Sequence, residues 1–246
     1  MKKTLKKQIK QDELATGFET ARTAAAAHSD ELKIGAIVVA VLLIGGIALT
    51  QFRSQRDRDA RETLSGALQV YHARVATDAA PAPNEAPAPG PTFATRPEKY
   101  KKALAELEGV ERRYGSHAVA LRARYYSALC KIELGQTDEA ETALKDIAAK
   151  KEGDRLEPAL AKLALADLQQ RTGHVDRAVD SYKQIVDDST FPLPRDYALL
   201  TLARLFEGQK KDAEAQAAYK RLVEEFSDSA FAAEAKRHME SPAARG

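Results

Sequence analysis

Ala103, Ala140, Ala178 and Ala215 stand 37, 38 and 37 residues apart, and each is followed by a large side chain four and again seven positions later. The first set is Leu107, Leu144, Tyr182 and Tyr219; the second is Val110, Ile147, Ile185 and Leu222. These offsets place all three residues on one face of an α-helix. Self-similarity at such a period is the mark of stacked helix pairs. The alanine lets the paired helix come close, and the larger residues fill the groove between neighbouring repeats. Ala128, Ala166 and Ala203, twelve residues before the last three alanines, mark the first helix of each pair. Gly135 and Gly173, five residues before Ala140 and Ala178, fall where the chain turns and a positive φ is useful. Lys210 holds that place in the last repeat with Gly208 nearby, which predicts a shifted or longer turn there. The stretch from Ser227 predicts a capped, amphipathic closing helix.

A second feature sets the chain's surroundings. No charged side chain lies between Lys33 and Arg53. Residues 34–52 form a helix of about 28 Å, close to the roughly 30 Å hydrocarbon core of a bilayer. A buried core helix is seldom so long and uncharged. The run is preceded by 33 residues and lacks a small-x-small cleavage site, so it reads as an uncleaved signal-anchor, a single-pass transmembrane helix. Gly35, Gly45 and Gly46 would permit close helix contact in lipid, although small residues are common in such spans. Lys2, Lys3, Lys6, Lys7, Lys10, Arg22 and Lys33 precede it, and Arg53, Arg56, Arg58, Arg61 and Arg74 follow. The total favours a cytoplasmic N-terminus, while the residues nearest the membrane favour the reverse. Long domains cross largely regardless of charge, so the expectation is N-terminus in, C-terminal domain out.

These features divide the chain. Residues 1–33 form a basic tail with Leu5, Ile9, Leu14 and Phe18 at near-helical spacing, either a surface-lying amphipathic helix or a solvated tail. Residues 53–76 are a juxtamembrane helix whose stripe Leu64, Leu68, Tyr71 and Val75 packs on the first repeat or on a second copy of the chain. Residues 77–97 are an Ala/Pro-rich linker of polyproline-like character. Residues 98–240 hold the repeats, and 241–246 are a disordered tail. The formal charge of +2 lies wholly in residues 1–33, leaving the rest neutral, which argues against a nucleic-acid partner. Cys130 is the only cysteine, so no internal disulfide forms; two places past Ala128, it reads as a small buried residue.

No chemistry-bearing constellation is visible. His28, His72, His117, His174 and His238 are scattered, with no HExxH and no His/Cys metal spacing. Phosphate-binding glycine loops are absent. The expectation is a non-enzyme with no catalytic residues, cofactor, metal or small-molecule substrate.

The repeats resemble the tetratricopeptide repeat (TPR). Leu165, Ala166, Gly173, Ala178 and Tyr182 match its signature well, as do Leu202, Ala203, Phe206, Ala215 and Tyr219. Ala128, Gly135 and Ala140 match more thinly, and the repeat around Ala103 shows only its second helix, residues 60–76 being the candidate first. Tryptophan is absent, the usual inter-repeat proline is missing, and the period exceeds the common length of about 34 residues. The resemblance implies an all-α protein, one transmembrane helix followed by a TPR-like α-solenoid of about four helix pairs. The layout also resembles bacterial membrane-anchored TPR-like proteins related to the ancillary subunit of the SecYEG translocon. That implies an inner-membrane protein with periplasmic repeats whose protein partners are translocon subunits, periplasmic chaperones or exported clients. The alternatives are an envelope or outer-membrane assembly scaffold, and a cytoplasm-facing assembly factor.

A TPR array usually presents a groove lined by its first helices. The repeat register places Arg122, Tyr125 and Leu129 there, then Leu163, Asp167, Gln170 and Arg171, then Tyr197, Leu200, Arg204 and Glu207. Such a mixture suits an extended or helical peptide through aromatic contacts and Arg–carboxylate pairs; the alternative is that several pack against neighbouring helices. The family's clamp for terminal carboxylates relies on groove asparagines, and the only asparagine is Asn84, in the linker, which excludes that mode.

Overall fold

The structure, a computed structural model, describes residues 29–76, 91–115, 117–150 and 156–240, with the backbone alone given for 29–40. Residues 1–28 of the predicted basic tail, residues 77–90 of the linker and the C-terminal tail lie outside the described residues. Two compact units are present, Met1–Arg58 and Asp59–Gly246.

The second unit is built by the repeat logic. Its helices are the last part of α1 (Ser29–Tyr71), then α2 (Arg96–Tyr114), α3 (Ala118–Glu133), α4 (Thr137–Ala148), α5 (Leu156–Arg171), α6 (Val175–Asp187), α7 (Asp196–Gly208), α8 (Asp212–Glu225) and α9 (Ala232–Glu240). Ala103, Ala140, Ala178 and Ala215 lie on α2, α4, α6 and α8, all buried, as are the eight large residues four and seven positions after them. Ala128, Ala166 and Ala203 are fully buried on α3, α5 and α7. Each alanine gives its partner helix room to approach, and each pair's bulky residues extend the core toward the next pair. Four helix pairs closed by α9 form an all-α, TPR-like solenoid.

The first pair takes its first helix from α1. Ala60, Leu64, Ala67 and Val70 are buried with Ala103, Leu107 and Val110 of α2. The buried face is therefore shifted from the predicted stripe: Leu68 and Tyr71 sit at its margin, and Val75 has left the helix. Val75 belongs instead to a two-residue parallel bridge, β1 (Arg74–Val75) with β2 (Thr92–Phe93), a small departure from the all-α expectation. Ala76 N–H donates to Phe93 O at 2.8 Å, closing the ends of the Ala/Pro excursion. The chain then enters α2 through a cap absent from the sequence reading: Thr95 Oγ1 accepts from Glu98 N–H and Glu98 Oε2 accepts from Ala94 N–H.

Three turns inside the pairs share one geometry. Gly135 and Gly173 have φ of 76° and 79°, and Lys210 has φ of 57°. In each, the next N–H reaches back five residues: Gln136 to Lys131 O, His174 to Gln169 O and Lys211 to Phe206 O. This pattern satisfies a helix-end carbonyl and needs a left-handed residue. The turn at Lys210 is thus neither shifted nor longer; a lysine has been forced into the glycine conformation. A Cβ at Gly135 or Gly173 would meet nothing within 4 Å, so only the backbone resists substitution there. Gly173→Ala is expected to cost about 1 kcal/mol, and Lys210→Gly to stabilise by about 0.5 kcal/mol. Urea unfolding followed by circular dichroism measures both, and a destabilised Lys210→Gly would contradict this account.

The α6–α7 link has no glycine and is held by cations. Arg195 and Arg221 both donate to Val186 O, at 2.8 and 2.6 Å, capping the carbonyl end of α6. The closing helix begins at Ala232, later than predicted, because Ser229 first makes a turn in which its Oγ accepts from Phe231 N–H.

In the first unit, Val41, Leu42, Leu43, Ile44, Ile47, Leu49 and Phe52 are all at least half exposed on α1. Among the described residues, no helix is long and apolar enough to cross a membrane. The predicted span 34–52 includes residues 34–40, whose side chains lie outside the description.

Candidate binding groove

The first helices of successive pairs, α3, α5 and α7, carry the predicted groove residues, and α9 follows as a further first-type helix. Two of those residues are not groove. Leu200 is 2 % exposed in the core shared by α6, α7 and α8, and Tyr125 is buried beside Ala128 and Leu144. Both stand on faces turned toward the neighbouring helix. Leu129 and Leu163 are half-buried at the edges of the same cores.

The polar members are tied to the next helix. Arg122 Nε donates to Glu157 Oε1 at 2.6 Å, joining α3 to α5. Arg171 lies 3.9 Å from Glu133. Arg204 donates to Glu234, with its Nε at 3.2 Å, joining α7 to α9. Glu207 accepts from the Tyr219 phenol at 2.9 Å and lies 3.0 Å from His238 Nδ1. Asp167 is the best-connected: it accepts from the phenols of Tyr182 and Tyr197, the latter at 2.9 Å. The structure thus brings Asp167 and Tyr197 together, and arranges the remainder as a ladder along the array. Gln170 is exposed, and Tyr197 keeps 39 % of its surface open.

These phenols are donors and stay so. Burial first, then the Asp167 carboxylate, pushes the Tyr182 phenol far above its ordinary range. Burial and Asp167 raise Tyr197, and burial with Glu207 raises Tyr219. Burial also raises Tyr125, to about 12.

The sequence reading missed the acids. Glu157, Glu133 and Glu234 each lie about one repeat from the arginine they hold. Opposite charges at repeat spacing on first helices are the signal that would have found them. Their effect is that Arg122 and Arg204 are hydrogen-bonded to carboxylates before any partner arrives, while Arg171 makes only a longer contact from an exposed side chain. No group of three or more His, Cys, Asp or Glu side chains suited to a metal occurs among the described residues.

Comparison with known proteins agrees with this architecture. The tetratricopeptide repeat family matches residues 122–150 and 197–229, the α3–α4 and α7–α8 pairs. The α5–α6 pair, whose signature residues read well in the sequence, falls outside the match yet shares the same turn. A tetratricopeptide repeat protein from Parabacteroides merdae has a crystal structure similar to this chain, with a TM-score of 0.48 and 13 % identity over 58 % of this chain and 53 % of that one. A putative kinesin light chain from Podosopora anserina, with nearly identical TPR-like repeats, gives 0.46 and 18 % over 58 % and 76 %. The chain thus spans about half the length of the first of these. No curated protein matches. The repeat model thus covers two of the four helix pairs.

Proposed function

We infer that the chain is a membrane-tethered scaffold whose repeats hold protein partners at the bacterial envelope, with export or periplasmic-chaperone partners near the Sec translocon as the specific reading. The observation that carries the binding role is the succession of helix pairs with an open aromatic, Tyr197, on their first helices. The tether is supported by the uncharged run 34–52 and by the exposure of its apolar side chains from Val41 to Phe52. A tether raises the local concentration of the binding face for partners at the same membrane, so modest contacts suffice.

Two experiments test this. For topology, Asn84→Cys is labelled with a membrane-impermeant maleimide in cells with a permeabilised outer membrane. Labelling before lysis agrees with periplasmic repeats; labelling only after lysis supports the reversed orientation, which Arg53, Arg56 and Arg58 close to the run would favour. The native thiol gives no background on this account. Cys130 is fully buried, and burial pushes its thiol up to about 12. At neutral pH it is expected to resist the reagent until the fold is opened by denaturant. For partners, crosslinking in cells followed by purification is expected to recover translocon or chaperone components. Recovery of outer-membrane assembly factors alone would move the role to envelope assembly.

A further inference from the structure

The face of α3 opposite the predicted groove has a site of its own. At about 100° per residue, Arg124, Ser127 and Lys131 project away from Arg122, Tyr125 and Leu129. They line a cleft of about 520 Å³ between α2, α3 and α4. Its floor is small and partly apolar, formed by Ser127, Ala128 and Ala143. Ser127 is 4 % exposed and its hydroxyl has no hydrogen-bond partner among the described residues. A buried hydroxyl without a partner destabilises the fold, and a ligand atom bonded to it would remove that cost.

The rim is acidic beyond its own needs. Five carboxylates line the cleft against two cations. Arg124 holds Glu111 at 3.1 Å and Lys131 holds Glu139 at 3.0 Å, so both cations are spent. Asp138 and Asp146 have no ion pair among the described residues, and Glu108 has only Arg112 at 3.9 Å, itself largely exposed. The excess of three negative charges excludes phosphate-bearing ligands. The absence of a three-ligand group among the described residues argues against a metal. An alanine floor beneath a carboxylate rim fits an aliphatic stem with a cationic head.

We propose that this cleft binds a peptide segment presenting lysine or arginine, with the stem along Ala143 and the cationic head between Ser127 Oγ and the free carboxylates. The proposal rests on the scaffold reading but not on the groove, since the two surfaces lie on opposite sides of α3. The probe is fluorescein-labelled hexalysine, titrated by anisotropy against the full-length chain in a neutral detergent at low ionic strength. Glu108→Gln with Asp146→Asn is expected to weaken binding about tenfold. A charge-matched pair far from the cleft, Asp180→Asn with Glu214→Gln, is expected to change it less than about twofold. Ser127→Ala, which leaves the charge untouched, is expected to weaken it about threefold with helicity retained. No measurable binding, equal losses in the two acidic pairs, or full binding by Ser127→Ala would each overturn the proposal. None of these outcomes bears on crosslinking to translocon or chaperone components, so the two readings fail separately.

Discussion

Replacing Tyr182 with alanine is expected to lower the unfolding free energy of the repeat unit by about 3–5 kcal/mol. Tyr182 is fully buried on α6, in the core shared with α7 and α8. Its removal opens a cavity where one repeat meets the next, and neighbouring helices relax only partly into such a space. The hydroxyl is the smaller share. Tyr182→Phe is expected to cost about 1 kcal/mol, because Asp167 keeps the Tyr197 phenol at 2.9 Å when it loses that of Tyr182. Tyr219 holds the same register position one repeat later, is also fully buried, and donates to Glu207 at 2.9 Å. Tyr219→Ala should therefore fall in the same range. In a quasi-one-dimensional array, contacts run only between neighbours, so each loss is felt as one weakened interface. Urea unfolding of the full-length variants in detergent measures the series. A Tyr182→Ala variant within about 1 kcal/mol of the parent would mean that the α6–α7–α8 core is not packed as described.

The spacing of alanines carried the core because it is a direct imprint of geometry. A helix crossing needs a small residue at its nearest point, and that requirement recurs once per pair, so Ala103, Ala140, Ala178 and Ala215 could be read without any structure. The residues four and seven positions later follow from the same helical period. The turns were legible only where glycine marked them. Lys210 adopts the same left-handed conformation against its own preference, and local sequence gives no sign of it. Surrounding packing, not propensity, sets that residue's backbone. The bridge of Val75 to Phe93 depends on the two ends of a long excursion meeting, which no local pattern encodes. Groove positions suffered from a related limit. Register assigns a residue to a helix face but cannot say how far the next helix covers it, which is why Leu200 and Tyr125 moved into the core. The cleft beside Ser127 was invisible for a stronger reason, since its rim draws on two second helices from successive repeats and on a hydroxyl that has no partner among the described residues.

Arg122→Met is expected to cost about 2 kcal/mol, more than Glu157→Met at about 1 kcal/mol or less, and this asymmetry is the informative result. Glu157 lies in the first turn of α5 and its residue is 3 % exposed, whereas the Arg122 side chain is 44 % exposed. Removing the arginine strands a carboxylate away from water; the helix N-terminus offsets only part of that loss. Removing the glutamate frees an arginine that water can still reach. Breaking a wholly buried pair costs about 3–5 kcal/mol, and the smaller figure for Arg122→Met reflects its exposed half. Methionine keeps most of the aliphatic stem's packing, so the comparison reports charge and not volume. Arg122→Lys should recover only part of the loss, because the bond at 2.6 Å comes from Nε, which lysine does not reproduce. The double-mutant cycle is expected to give a coupling of about 1–2 kcal/mol. The same numbers bear on the groove. A partner's carboxylate could reach the guanidinium N–H groups that Glu157 leaves unused, but it would meet a charge that Glu157 already balances. Equal losses in the two single variants would mean that Glu157 is solvated; the expected asymmetry instead makes this ion pair a brace between α3 and α5, with Tyr197 and Gln170 as exposed groups of that face outside the ion pairs.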